Sequence, residues 1–197
     1  MTSAAAQLQL LEQPRGRSTG FWGMMLLITT EASLFSYLLF SYFYLGSMAQ
    51  GPWPKEGPPS LTLVIPNTII LLASSGTMYW AESGIRKGRQ GRLRLGLLLT
   101  LLLGIIFLAI QGIEYSHKHI TPRTNAYGSL FFTITGLHGA HVAAGLLMVA
   151  VITARSLLKH FGPGHHDAVT NVSWYWHFVD VVWLSVFTCL YVTPYLG

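Results

Sequence analysis

Apolar residues run through this chain in five long blocks instead of alternating with polar ones. The blocks cover residues 21–47, 61–81, 95–115, 127–154 and 172–195. Each reaches the roughly 20 residues that a helix needs to cross a hydrocarbon core about 30 Å thick. A membrane β-barrel would show polar and apolar residues with a period of two, and these runs do not. The pattern predicts an all-α fold, an integral membrane bundle of five transmembrane helices. Pro66, near the start of the second block, predicts a bend or a late start there, because its ring cannot continue a helix from the preceding turn.

Turn-forming residues punctuate the gaps. Gly51-Pro52-Trp53-Pro54 and Gly57-Pro58-Pro59 follow the first block, and Gly162-Pro163-Gly164 precedes the fifth. No connection is long enough to fold alone, and no internal repeat suggests the paired halves of a transporter. Residues 20–197 therefore read as one helical domain. Residues 1–19 contain Gln7, Gln9, Glu12, Pro14, Arg15 and Arg17, with no apolar core of signal-peptide length, and read as a flexible cytoplasmic tail.

Composition sharpens this picture. Charged residues make up 10% of the 197, against about 25% in soluble domains, and the mean hydropathy is +0.46. The single cysteine, Cys189, excludes an internal disulfide framework and a cysteine-only metal cluster. Lys and Arg are sorted between the two sides of the predicted bundle. Nine fall on the side of the tail, in the second-to-third and fourth-to-fifth loops as well, and three (Lys55, Lys118, Arg123) fall opposite. That bias places the N-terminus in the cytoplasm and the C-terminus outside. The net charge of +5 is then a consequence of sorting and of anionic lipid heads, not a sign of nucleic-acid binding.

Ionisable groups within the blocks are costly and call for a partner or a role. Three are acids, Glu31, Glu114 and Asp180; His138, His141 and His177 are the available partners. The acids are thus either protonated or paired with histidines of neighbouring helices. His177 and Asp180, three apart, share a helix face and predict a structural hydrogen bond that locks the last helix. His138 and His141 also share a face. Two imidazoles there can ligate a metal, but no complementary ligand set is evident. Gly136, Ala140 and Ala144 predict a ridge for close helix approach, with the histidines hydrogen-bonding across it. Glu31 is open between a proton-related role and pairing with a histidine of the fourth block. Glu114, one turn before Lys118, predicts a salt bridge at the membrane edge. His165 and His166 read as solvated loop residues.

The stretch Trp174-Tyr175-Trp176-His177-Phe178-Val179-Asp180-Val181-Val182-Trp183 closely resembles the terminal-helix signature of subunit III of the haem–copper terminal oxidases. Gly136-Leu137-His138-Gly139-Ala140-His141-Val142, Tyr127-Gly128-Ser129, Glu31 with Leu34-Phe35, Pro66-Asn67-Thr68 through Gly76, and Gln111 with Glu114 and Tyr115 match further motifs of that family. The resemblance covers residues 20–197 and is to the short, five-helix bacterial form.

It implies an accessory subunit of an oxidoreductase complex in the bacterial inner membrane, with no catalytic residue and no metal of its own. Haem and copper are expected on partner subunits, with oxidase subunit I as the catalytic partner. The family holds phospholipid in a cleft and supports sustained turnover and proton uptake. By position, Arg155 resembles the residue that contacts a lipid phosphate, with His160 beside it and Glu31 near the lipid. One departure is Thr170, where the family often has an acid. Cytochrome c is the expected electron donor. A quinol oxidase subunit or a relative associated with nitric oxide reduction is the alternative. A stand-alone proton channel built on Glu31 is a more distant one.

Overall fold

The structure is a computed structural model and describes residues 18–55, 57–118, 120–162, 164 and 166–195. It contains five long helices: α1 (Thr19–Met48), α2 (Val64–Arg86), α3 (Gln90–His117), α4 (Ala126–Leu157) and α5 (Asp167–Phe187). Four of these, α1, α3, α4 and α5 with its extension, are long and apolar enough to cross a membrane. α2 matches them in packing more than in apolarity, since Asn67, Thr68, Ser74 and Glu82 are buried within it. Large apolar side chains such as Leu95, Leu102, Ile105 and Leu147 stay exposed on the outer faces, as a bilayer-facing surface requires. The chain is a multi-pass membrane protein.

Helix ends follow from local chemistry. Ser18 caps α1 by accepting from the backbone N–H of Phe21 at 3.4 Å. α1 therefore begins at Thr19, inside the stretch expected to be tail; residues 1–17 of that tail lie outside the described residues. α2 begins at Val64, three residues later than the apolar block, and Pro66 falls in its first turn, where the missing N–H has no intrahelical partner to lose. α2 and α3 are joined by a tight turn in which Gly88 takes a φ of 69°, a left-handed conformation that suits glycine. Asn125 caps α4 by accepting from Gly128 N at 2.8 Å.

α2 to α5 close into a four-helix ring in which each neighbouring pair packs together, α2 meeting α5. The α2–α5 contact is antiparallel, and its register is written by hydrogen bonds. Trp183 Nε1 donates to Thr68 Oγ1 at 2.9 Å, and Trp176 Nε1 donates to Ser74 Oγ at 3.1 Å. Trp176 is itself held between two glycines: a Cβ built on Gly104 of α3 would stand 2.9 Å from its ring, and one on Gly145 of α4 would stand 3.0 Å away. The close-approach position on α4 is thus Gly145, whereas Gly136 has nothing within 4 Å and Ala140 is exposed. The expected ridge of Gly136, Ala140 and Ala144 lies off the buried stripe, which runs through Phe131, His138, Val142, Gly145 and Val149.

α1 stands on the flank, packed against α4 and α5, and buries only Phe35 and Tyr42. After Phe187 the last helix widens into a π turn, Thr188–Val192, and then tightens into a 3-10 turn, Thr193–Tyr195. The widened turn leaves Leu190 and Tyr191 fully buried.

Candidate functional site

Glu31 of α1 and His141 of α4 meet, Oε2 to Nε2, at 3.0 Å. The other ring nitrogen, Nδ1, lies 2.7 Å from the carbonyl oxygen of Leu137. A carbonyl only accepts, so Nδ1 carries the hydrogen and donates it. The contact with Glu31 therefore contains one proton, held either by Nε2 facing a carboxylate or by the carboxyl facing a neutral imidazole. Both arrangements leave the pair neutral overall, which is the form least penalised in a membrane. The Phe35 ring packs edge-on against His141 at 5.1 Å between centroids. Glu31 retains 25% of its side-chain exposure, so one edge of the pair reaches the outer surface of the bundle.

His138 behaves differently from its neighbour. It is fully buried, its ring lies 4.9 Å from Trp183, and Phe107 and Phe35 present their edges to it at 6.0 and 6.4 Å. Neither ring nitrogen has a hydrogen-bond partner among the described residues. The expectation of a hydrogen bond across a helix interface is corrected here: His138 points into an aromatic box of α1, α3 and α5.

His177 and Asp180 do not bond to each other directly but converge on Ser75 of α2. His177 Nδ1 lies 2.7 Å from Ser75 Oγ, and that hydroxyl donates to Asp180 Oδ2. With its single hydrogen given to the carboxylate, Ser75 accepts from His177, which fixes the Nδ1–H tautomer. The last helix is locked as the spacing predicts, through a residue that i,i+3 reasoning does not see.

Glu114 is buried and pairs with Lys118 at 3.1 Å, so the salt bridge lies inside the packing instead of on its edge. Tyr191, turned inward by the π turn, donates to Glu114 Oε1 at 2.9 Å, and Gln111 donates to Oε2 at 3.2 Å. The Lys118 ammonium also stands over the rings of Phe131, at 4.5 Å, and Tyr191, at 5.4 Å. A third buried acid besides Glu114 and Asp180, Glu82 of α2, escapes the sequence reading because it falls just past the apolar block. It accepts from Ser173 of α5 at 2.8 Å and from Arg86 one turn on. Its signal in the sequence is the Glu-to-Arg spacing of four, which alone looks like a surface pair. At position 170, where the resemblance leads one to expect an acid, stands Thr170, and near that end of α5 the buried acid is Glu82 of α2.

Arg155 and His160 lie at the far end of α4, both exposed. The Arg155 guanidinium stands 5.2 Å from the centre of the Phe161 ring, and its carbonyl accepts from His160 N at 3.1 Å. His165 lies outside the described residues, and His166 precedes α5. Among the described residues no three His, Cys, Asp or Glu side chains come together as a metal-ligating group.

The family model described as cytochrome c oxidase subunit III matches residues 15–195. The chain is similar to cytochrome c oxidase subunit 3 of Gallus gallus, 39% identical over 178 residues, and to that of Danio rerio, 40% identical over 178 residues. It is also similar to cytochrome c oxidase subunit 3 of Lumbricus terrestris, 37% identical over 180 residues. Each match covers 86% of this chain and 68% of the relative.

Proposed function

The chain belongs to the cytochrome c oxidase subunit III family, and from that premise we propose that it is the non-catalytic third subunit of a bacterial inner-membrane oxidase carrying electrons from cytochrome c to oxygen. In this reading subunit I and its partners hold haem and copper, and this chain packs beside them, binds phospholipid and sustains turnover. The observation that carries the proposal is the Glu31–His141 pair, a single shared proton on the flank of the bundle, partly open to the membrane. Such a pair can pass its proton on only as another arrives, because losing it leaves a bare carboxylate and gaining a second leaves an imidazolium, and a relay of that kind suits a role in proton supply to a neighbouring subunit. Exposed Arg155, with His160 one turn on, supports a lipid-phosphate contact at the inner end of α4. The excess of Lys and Arg on the side of residues 86–94 and 155–159 supports a cytoplasmic N-terminus.

The proposal is tested in the purified membrane complex. Glu31→Ala should leave assembly intact and shorten the number of turnovers before activity is lost; durability equal to wild type overturns the proton role. Arg155→Ala should lower the anionic phospholipid that co-purifies, read by mass spectrometry, and unchanged lipid content overturns the phosphate contact.

A further inference from the structure

On the outer side of the bundle, residues 57–63, the end of α3 and the start of α4 line an open cavity of about 420 Å³. Glu114, Lys118 and Tyr127 are among its lining residues. Behind Glu114 lies Gln111, whose amide donates to the carboxylate but whose Oε1 has no hydrogen-bond partner among the described residues. The same holds for Asn67 Oδ1, both nitrogens of His138 and Asp180 Oδ1. All four residues are more than nine-tenths buried.

These residues are linked through Phe107 and Trp183. Asn67 Nδ2 donates to the carbonyl of Phe107 at 3.2 Å, and Gln111 follows Phe107 by one turn on the same face of α3. The Phe107 ring lies 6.0 Å from that of His138 and 5.0 Å from that of Trp183. Asp180 is one turn inward of Trp183 on α5, beside Ser75 of α2. Four helices thus place unsatisfied polar atoms around the Phe107 and Trp183 rings. Left dry, each atom bears its full desolvation cost, and five together rival the net stability of a domain. Water settles in buried space where two to four polar partners surround it, and these atoms offer such partners.

We infer that a file of buried water molecules runs from the outer cavity past Glu114 to Asp180, bridging Gln111, Asn67 and His138. Tyr191, at the outer end, and Asp180, at the inner end, are separated along the last helix by a rise of roughly 16 Å, about half of a hydrocarbon core. The file gives the Ser75–His177–Asp180 group contact with the outer aqueous phase by a route separate from Glu31.

Radiolytic hydroxyl labelling of the intact membrane complex in ¹⁸O water tests this, because water bound in the interior makes radicals in place. Trp183, Phe107 and Met78 are all fully buried. Trp183 and Phe107 should take up label several-fold faster than Met78, although methionine is intrinsically reactive; equal or slower labelling overturns the inference. His138→Phe keeps a ring in the box and removes two water partners, so Trp183 labelling should fall several-fold. If that variant does not assemble, Gln111→Met gives the same readout. Unchanged labelling in the assembled variant overturns the proposal.

Discussion

Gly145 of α4 packs so closely on the indole of Trp176 that an added Cβ would stand 3.0 Å from its ring. Other atoms of the same ring lie as close to Gly104, so the tryptophan has little room to retreat. Gly145→Ala should destabilise the bundle by about 1–3 kcal/mol through overpacking, seen as a lower midpoint in thermal unfolding of the complex. Gly136→Ala, with nothing within 4 Å of its Cβ, should leave the midpoint unchanged or raise it.

Ser75 holds two functional-looking side chains with one hydroxyl. Ser75→Ala strands buried Asp180, and the expected loss is about 1–3 kcal/mol. Adding Asp180→Leu to that variant removes the stranded carboxyl and should recover part of the loss. Measuring both by denaturation of the detergent-solubilised complex decides the point; no recovery in the double variant would mean that the carboxyl has another partner.

Glu82 separates two kinds of contact on one carboxylate. Its Ser173 partner is buried, while the Arg86 side chain is 59% exposed. Ser173→Ala should cost about 1 kcal/mol, and Arg86→Ala less, since an exposed pair is screened by water and salt. A larger loss from Arg86→Ala would place the carboxylate's main anchor at the surface instead.

Lys118 is the cation that pairs with buried Glu114 one turn before it. Lys118→Met leaves a buried carboxylate with Tyr191 and Gln111 alone, and about 3–5 kcal/mol should be lost. Glu114→Gln introduced together with Lys118→Met should return most of it, checked by retention of the subunit during purification. A single variant as stable as wild type would show that the tyrosine and glutamine suffice.

Each apolar block overlaps a long helix, because a membrane-depth backbone has no economical alternative to a helix, but α2 ends and α3 and α5 begin five residues beyond their blocks. Glu31 with His141, and Glu114 with Lys118, were within reach of the sequence: one by the need to neutralise an isolated acid, the other by a spacing of four. His138 was not, because periodicity gives the face a residue occupies but not whether that face meets a polar group or three aromatic rings. Ser75 and Glu82 were hidden for a related reason. Their partners lie on α5, about a hundred residues away, and only the antiparallel register of α2 on α5 brings them together. Gly145 was overlooked beside the more regular Gly136-Ala140-Ala144 spacing, since small residues mark close contact only when a neighbour is present.

The thin attachment of α1 carries a consequence for how the membrane itself acts on the protein. Two buried side chains, the partly buried Met24, Leu38 and Leu39, and the Glu31–His141 contact hold that helix to the bundle. A bilayer that thins or thickens is met by tilting the least anchored span, and tilt moves Glu31 relative to His141. Bilayer thickness therefore bears on the 3.0 Å contact between Glu31 and His141, the side-chain hydrogen bond that ties α1 to α4.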